Sequence, residues 1–203
     1  QAYHSALLAP LFVVLSFAWG LAVFLVVQTT MYTWEGRVLD EVIQRRMARL
    51  LGIFIAASLY LVAVYHLTNG YYAQQQAFEA FVLRDGGLYP WLFWGGYVLV
   101  GAVLPLVLLF RPAFGGARHT LAASALVIVG AFAFLYVFII GGQAFPLDLF
   151  PGHEARSPFG DGAIAGYSPS LPELLLGVGG LGLVGVLLYS FLLGGLGRGA
   201  RKQ

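Results

Sequence analysis

The sequence predicts an all-α integral membrane protein, a bundle of five transmembrane helices, and three observations support this class. First, 60% of the 203 residues are hydrophobic and only 10% are charged, with a mean hydropathy of +0.83. A soluble domain carries about 25% charged residues, so this chain has too little polar surface to cover a core in water. Second, five apolar stretches each approach the ~20 residues that cross the hydrocarbon of a bilayer. Third, the basic residues gather in alternate connections.

The five apolar stretches are expected to be helices, because a span must satisfy its own backbone hydrogen bonds and these are too long for barrel strands. We expect one transmembrane helical domain over residues 1–203. Since the chain begins with Gln1 and has no initiator Met, we also expect it to be part of a longer subunit. An amphipathic interfacial helix is predicted from Asp40 into the second span, and Pro105 predicts a kink in the third. The spans lie at about 6–27, 49–67, 89–110, 120–141 and 172–196.

The distribution of the Lys and Arg residues predicts the orientation. Nine of the eleven lie in the first connection, the third connection and the C-terminal tail, which share one side of a five-helix bundle. The positive-inside rule places that side in the cytoplasm, so the N-terminus lies outside and the C-terminus is cytoplasmic. An odd number of spans places the two termini on opposite sides of the membrane, in agreement with this orientation. The nine residues are Arg37, Arg45, Arg46, Arg49, Arg111, Arg118, Arg198, Arg201 and Lys202.

Composition and missing motifs narrow the possible chemistry. The absence of cysteine excludes cysteine-ligated iron–sulfur clusters, c-type haem attachment and disulfides within these 203 residues. The net charge is +2 and the basic residues flank the spans, so we expect no nucleic-acid partner. No His, Asp or Glu spacing predicts a metal site. Hydrolysis and phosphoryl transfer are poor candidates, because the P-loop, GxSxG and HExxH motifs are missing.

His66 is the most informative titratable side chain. It lies near the outer end of the second span, beside Tyr65 and about one turn before Asn69. Ionisable groups at membrane depth are costly and often functional, so His66 is a candidate for proton exchange. One alternative is an interfacial histidine that hydrogen-bonds a neighbouring helix. A b-type haem between His4 and His66 is another, which their position near the surface disfavours.

Glu173 opens the fifth span at the end of a dense polar motif, Tyr167-Ser168-Pro169-Ser170-Leu171-Pro172-Glu173. Ser170 as the N-cap, with Glu173 three residues later, matches a capping box. A carboxylate at this place is also suited to proton exchange near the outer interface, so both interpretations stay open. Gln143 directly follows the fourth span, and its amide is a candidate hydrogen-bond donor to a quinone carbonyl.

The motif at 167–173, followed by a glycine-rich span, resembles the segment that introduces the last core helix in the NrfD/polysulfide reductase membrane-subunit family. Gly141-Gly142-Gln143-Ala144-Phe145-Pro146 is similar to the preceding segment of the DsrP-like branch, and PsrC-like proteins belong to the same family. Leu59-Tyr60-Leu61 and Pro10-Leu11-Phe12 fit the pattern as well. The resemblance covers most of the chain and is to the C-terminal half of longer family members.

The resemblance implies a membrane anchor subunit of a multisubunit quinone-linked oxidoreductase in a prokaryotic inner (cytoplasmic) membrane. Such a subunit exchanges electrons between the quinone pool, menaquinone or ubiquinone, and a partner iron–sulfur subunit. We expect further membrane subunits beside it, proton transfer, and no covalently bound cofactor. One alternative is a non-catalytic membrane scaffold of a respiratory or photosynthetic complex. A transporter is a third class, disfavoured because the spans lack midplane charges.

The candidate site residues are those that share the predicted outer side. We expect His66 and Glu173 to be catalytic, through proton exchange with the quinone. The residues expected to contact the quinone are Tyr65, His66, Gln143, Tyr167 and Glu173.

Overall fold

The computed structural model describes residues 5–37, 40–111, 116–145 and 169–199, with side chains through residue 186 in the last range. Over these ranges the chain forms helices and no strands. Four helices are long and apolar enough to cross a membrane: α1 (Leu8–Trp34), α2 (Glu41–Tyr71), α4 (Leu88–Phe110) and α5 (Ala117–Ala144). Helix α3 (Ala73–Ala80) follows α2 in the sequence, and α6 covers Leu171–Gly199. The all-helical class and four of the five predicted spans are therefore confirmed.

The four long helices form an up-and-down bundle in which α1 packs on α2 and α5, and α4 packs on the same two helices. Their buried side chains make two core layers. The first layer lies at the end of the bundle where α1 and α4 begin: Leu11, Leu15, Val62, Tyr65, Phe78, Phe81, Val82, Phe93, Tyr97, Phe134 and Val137. The second layer lies toward the opposite end: Ala22, Leu25, Leu51, Ile55, Ala102 and Val127. Many large apolar side chains remain exposed around the bundle, as expected where lipid is the solvent.

Helix α1 extends seven residues beyond the predicted span, to Trp34. Hydropathy falls at the threonines that follow residue 27, but the helix continues through them. The hydroxyl of Thr30 donates to the carbonyl of Val26 (2.8 Å), and that of Thr33 donates to the carbonyl of Thr29 (2.8 Å). Both hydroxyls hydrogen-bond carbonyl groups one turn earlier in the same helix, and the helix continues beyond the end of the apolar stretch.

Helix α2 begins where the sequence predicts an interfacial segment. The carboxylate of Asp40 accepts the backbone N–H of Val42 (2.7 Å) and caps the helix N-terminus. One turn on, Arg45 pairs with Glu41 at 2.7 Å. The same helix then runs without a break through the predicted second span to Tyr71, so the polar segment and the span are one element of 31 residues.

Helices α4 and α5 each contain a π-helical part, Leu92–Val103 in α4 and Tyr136–Gly141 in α5. In α4 the α-helical pattern returns at Leu104, beside the buried Pro105. Proline has no N–H to donate, so a change of hydrogen-bonding pattern is favoured there. The predicted kink at Pro105 stays a prediction. Because π-helical turns are rare and often lie at functional sites, these segments direct attention to the first core layer.

Helix α6 belongs to a compact unit of its own, residues 166–203, whereas the bundle belongs to the unit 1–165. The part of α6 with described side chains, Leu171–Val186, is an apolar helix shorter than the four spans. The fifth span and the single domain over 1–203 therefore remain predictions.

Candidate functional site

The connection between the second and third spans folds against the bundle. The predicted spans leave residues 68–88 as a connection, but α2 continues to Tyr71 and is followed by α3 and a π-helical turn, Phe81–Asp85. Phe78, Phe81 and Val82 are buried in the first core layer. Their spacing of three and four residues is the mark of a helix with one apolar face, and this signal was available in the sequence.

Glu79 lies on the buried side of α3 and is only 4% exposed. Both of its carboxylate oxygens are bonded: Oε2 lies 2.5 Å from Nδ1 of His66, and Oε1 accepts Nδ2–H of Asn69 at 3.0 Å. An isolated buried carboxylate is costly, and these two contacts offset much of that cost. Glu79 therefore joins α3 to the last turns of α2 through two side chains that lie three residues apart.

The imidazole of His66 is held by aromatic rings as well as by Glu79. Its ring centroid lies 4.8 Å from that of Phe93 and 5.1 Å from that of Tyr65, with an interplanar angle of 77° in each pair. The His66 side chain keeps 13% of its surface exposed. It is thus oriented by three neighbours.

A small apolar cavity lies beside this cluster. It has room for about one water molecule, and nearly all of its surface is apolar. The three π-helical segments among the described residues all contribute to its wall, through Val82, Phe93 and the pair Val137 and Phe138. The lining residues are Tyr65, His66, Phe78, Val82, Phe93, Phe134, Val137 and Phe138.

The structure brings together two of the five residues predicted to contact a quinone. Tyr65 and His66 both line the cavity, and Tyr65 is 2% exposed. Gln143 is exposed on the last turn of α5. It lies at the same end of the bundle, because Phe145 packs on Phe78 and Phe81. Gln143 does not line the cavity.

Tyr167 lies outside the described residues, and so does His4 of the haem alternative. Glu173 is exposed in the first turn of α6, where its carboxylate accepts the backbone N–H of Ser170 at 2.7 Å. This is one of the two bonds of a capping box, so it supports the capping interpretation, and proton exchange by Glu173 stays a prediction. In the part of the chain that the structure describes, no group of three or more His, Cys, Asp or Glu side chains could hold a metal ion.

Two residues of the cluster were not assigned to the site from the sequence, Glu79 and Asn69. The sequence placed Glu79 in a connection and Asn69 one turn from His66. The spacing of His66 and Asn69 puts both on one face of α2, which was a usable signal. Nothing comparable marks Glu79, whose partners lie 13 and 10 residues away and meet it only through the turn at Tyr72.

The charged pair Arg84 and Asp85 ends the same segment in solvent. The guanidinium donates to both carboxylate oxygens, at 2.9 and 3.0 Å. These hydrogen bonds lower the pKa of Asp85 and raise that of Arg84. Both side chains are exposed, so solvent screens the pair and its contribution to stability is small.

Comparison with known protein families agrees with the fold. The family model described as Polysulphide reductase, NrfD, matches residues 1–147, which include α1 to α5 and the whole cluster around His66. The chain belongs to the NrfD polysulphide reductase family. The match ends before the motif at 167–173, so the family is confirmed by a different part of the chain from the one that most specifically suggested it. With four apolar helices and this family, the chain is an integral, multi-pass membrane protein.

A curated relative covers almost the entire chain. The "Hdr-like menaquinol oxidoreductase integral membrane subunit" of Archaeoglobus fulgidus is 30% identical over 198 residues. The alignment covers 96% of this NrfD-family chain and 49% of the relative, so the chain spans about half the relative's length. No solved structure matches the chain.

Proposed function

We propose that this chain is a membrane subunit of a multisubunit quinone-linked oxidoreductase, which exchanges electrons between membrane quinone and a partner iron–sulfur subunit. The family supports this proposal, and so does a relative named as a menaquinol oxidoreductase membrane subunit. We therefore propose menaquinone as the quinone. Further membrane subunits would complete the complex in a prokaryotic cytoplasmic membrane.

The single observation that carries the proposal is the place of His66, on the wall of an apolar cavity and bonded to a buried carboxylate. Oxidation of a quinol releases two protons with its two electrons, so its site needs a group that accepts protons beside a surface that accepts an apolar ring. His66 supplies the first and the aromatic walls supply the second. A headgroup is larger than one water molecule, so its entry requires part of the cavity wall to move.

Four further residues are proposed as headgroup contacts. Tyr65 lies on the cavity wall beside His66. Gln143 lies at the same end of the bundle, and its amide is proposed to reach a quinone carbonyl. Tyr167 and Glu173 are proposed from the predicted common side of the membrane, with Glu173 as a second proton-exchanging group.

The proposed topology has five spans, with the N-terminus outside and the C-terminus in the cytoplasm. Helix α6 supports the fifth span, because its 29 residues extend about 43 Å, enough to cross a bilayer. The distribution of basic residues supports the orientation. In this topology the cavity lies near the outer face.

The experiment is quinol-linked turnover of the purified complex, with a short-chain naphthoquinol as donor, after His66→Ala and Glu173→Gln. We expect turnover to fall roughly 100-fold for His66→Ala, as for the loss of a general acid–base group, and clearly for Glu173→Gln. His119→Ala is the matched control, because His119 begins α5, about 22 Å along that helix from the residues that line the cavity. Wild-type turnover for both test variants would contradict the proposal.

A second candidate function is a non-catalytic membrane scaffold. The half-length coverage of the relative favours it, since the chemistry of a longer subunit need not lie in this half. The scaffold predicts wild-type turnover after His66→Ala and no quinone near His66 in density for the whole complex, together with broad contacts between α1 to α5 and other subunits.

A further inference from the structure

We infer that Glu79 is a positioning residue for His66: its carboxylate fixes the tautomer and direction of the imidazole, so that Nε2 is the atom presented to a quinol hydroxyl. This inference rests on the proposed function and deepens it. It concerns a carboxylate on α3 that neither the family match nor the relative assigns to any role.

The hydrogen bonds of Glu79 determine which imidazole nitrogen carries the proton. At 2.5 Å, Nδ1 of His66 and Oε2 of Glu79 must share a hydrogen. Asn69 donates to the other oxygen, Oε1. An ionised carboxylate only accepts, so we assign Glu79 as ionised and Nδ1–H of His66 as the donor. A neutral imidazole with its proton on Nδ1 leaves Nε2 as an acceptor.

The surroundings of the cluster hold this arrangement in place. The buried Glu79 carboxylate is bonded to His66 and Asn69 of α2, so a turn of the imidazole would break its bond to Nδ1. The edges of Phe93 and Tyr65 limit the ring from two sides. His66 is therefore clamped in one orientation on the cavity wall.

The chemistry that follows is a proton transfer coupled to electron transfer. The partner iron–sulfur subunit of the proposed function would take up the two electrons of the quinol. Nε2 of His66 accepts the proton of one hydroxyl as its O–H bond breaks, and the proton of the other hydroxyl leaves to solvent. The imidazolium then carries a proton on each nitrogen, and the negative charge of Glu79 stabilises it until Nε2 releases its proton. In the direction of quinone reduction the same steps run in reverse.

The first test measures kcat and KM of the whole complex with a short-chain naphthoquinol for Glu79→Gln, His66→Ala and the double variant. We expect Glu79→Gln to lower kcat at least about tenfold with KM within about twofold, because the amide keeps the shape but not the charge. The double variant should be no slower than His66→Ala, since Glu79 acts through His66. Asp85→Asn, the same change on an exposed carboxylate six residues away, should behave as wild type.

The possible outcomes separate the two proposals. Wild-type kcat for Glu79→Gln, or effects of the two single variants that multiply in the double variant, would overturn the inference alone. Wild-type turnover for both His66→Ala and Glu173→Gln would overturn the proposed function as well.

A second test reads the tautomer in the unaltered complex and uses a variant only to assign the signal. Magic-angle-spinning NMR of the complex with ¹⁵N-labelled histidine reports the tautomer of each imidazole, and the His66 signal is the one lost in His66→Ala. We expect a protonated Nδ1 and a bare Nε2. A His66 protonated on Nε2 alone would overturn the inference.

Discussion

The backbone of Gly101 in α4 touches that of Gly130 in α5, so that a Cβ atom on Gly130 would clash with the Cα of Gly101. The reverse substitution is equally crowded, at 2.6 Å from the Cα of Gly130. Small residues of this kind let membrane helices approach closely and gain dispersion contacts along their length. This contact holds together the two helices that carry the π-helical walls of the cavity.

Gly130→Ala is therefore expected to destabilise the protein. Overpacking a tight contact costs about 1–3 kcal/mol, which exceeds the roughly 1 kcal/mol that alanine gains in helix propensity. The measurement is the midpoint of thermal unfolding in detergent. Gly20→Ala in α1 is the control, since a Cβ there meets no atom within 4 Å, and it should leave the midpoint unchanged or raise it. Equal midpoints for the two variants would refute the contact.

Asn69→Leu is expected to lower stability through Glu79. The substitution leaves the buried Oε1 without its donor, at a cost of about 1–3 kcal/mol. Unfolding titrations in mixed micelles measure this cost. The double variant Asn69→Leu/Glu79→Leu should recover part of it, because the buried carboxylate is removed and the group left unpaired is Nδ1 of the more exposed His66. Gln74→Leu, an amide lost from an exposed site on α3, is the control. A double variant less stable than Asn69→Leu would count against this account.

Glu173→Gln is expected to separate two roles of one side chain. The amide oxygen still accepts the Ser170 N–H, so the start of α6 should keep its stability within about 0.5 kcal/mol, whereas Glu173→Ala should lose about 1 kcal/mol. Turnover should fall in both variants if the carboxylate exchanges protons. Turnover that falls only in Glu173→Ala would leave Glu173 with the capping role alone.

We expect the Arg84–Asp85 pair to make the stability of the folded protein weakly dependent on pH. Because Arg84 lowers the pKa of Asp85 in the folded protein, the pair stabilises the fold above the ordinary value of 3.8 and loses that effect as the pH falls through the lower folded value. Both groups are exposed, so we expect a small difference in unfolding midpoint between wild type and Asp85→Asn at neutral pH. The difference should shrink in high salt and vanish in strong acid. A difference that grows on acidification would contradict the assigned direction.

Hydropathy was sufficient to predict four helices of the bundle, because each span is a continuous apolar stretch in a chain with few charges. It failed at the edges of the spans. The end of α1 was placed near residue 27 because threonine lowers the hydropathy, although its hydroxyl bonds back to the helix. It also failed at residues 68–88, where the glutamines and tyrosines around α3 hide the buried spacing of Phe78, Phe81 and Val82.

The site was predictable only for the residues that lie within one helix. His66 and Tyr65 stand out as polar groups near the end of an apolar span, and both line the cavity. Glu79 is an ordinary acid in a polar connection until α3 folds back on α2, and that packing is a tertiary event which local sequence does not report. The π-helical segments could not be predicted from the sequence either. Their aromatic rings form part of the cavity wall, but their residues resemble those of any apolar span.

We propose that a quinone headgroup binds beside His66. The most direct measurement is photo-crosslinking of the intact complex with an azido-naphthoquinone, followed by mass spectrometry of the labelled peptides. We expect the crosslinked quinone on peptides within residues 65–82 or 134–138. Excess menaquinone should reduce this labelling, and His66→Ala should abolish it. Label that appears only on other subunits, or that excess menaquinone leaves unchanged, would contradict it.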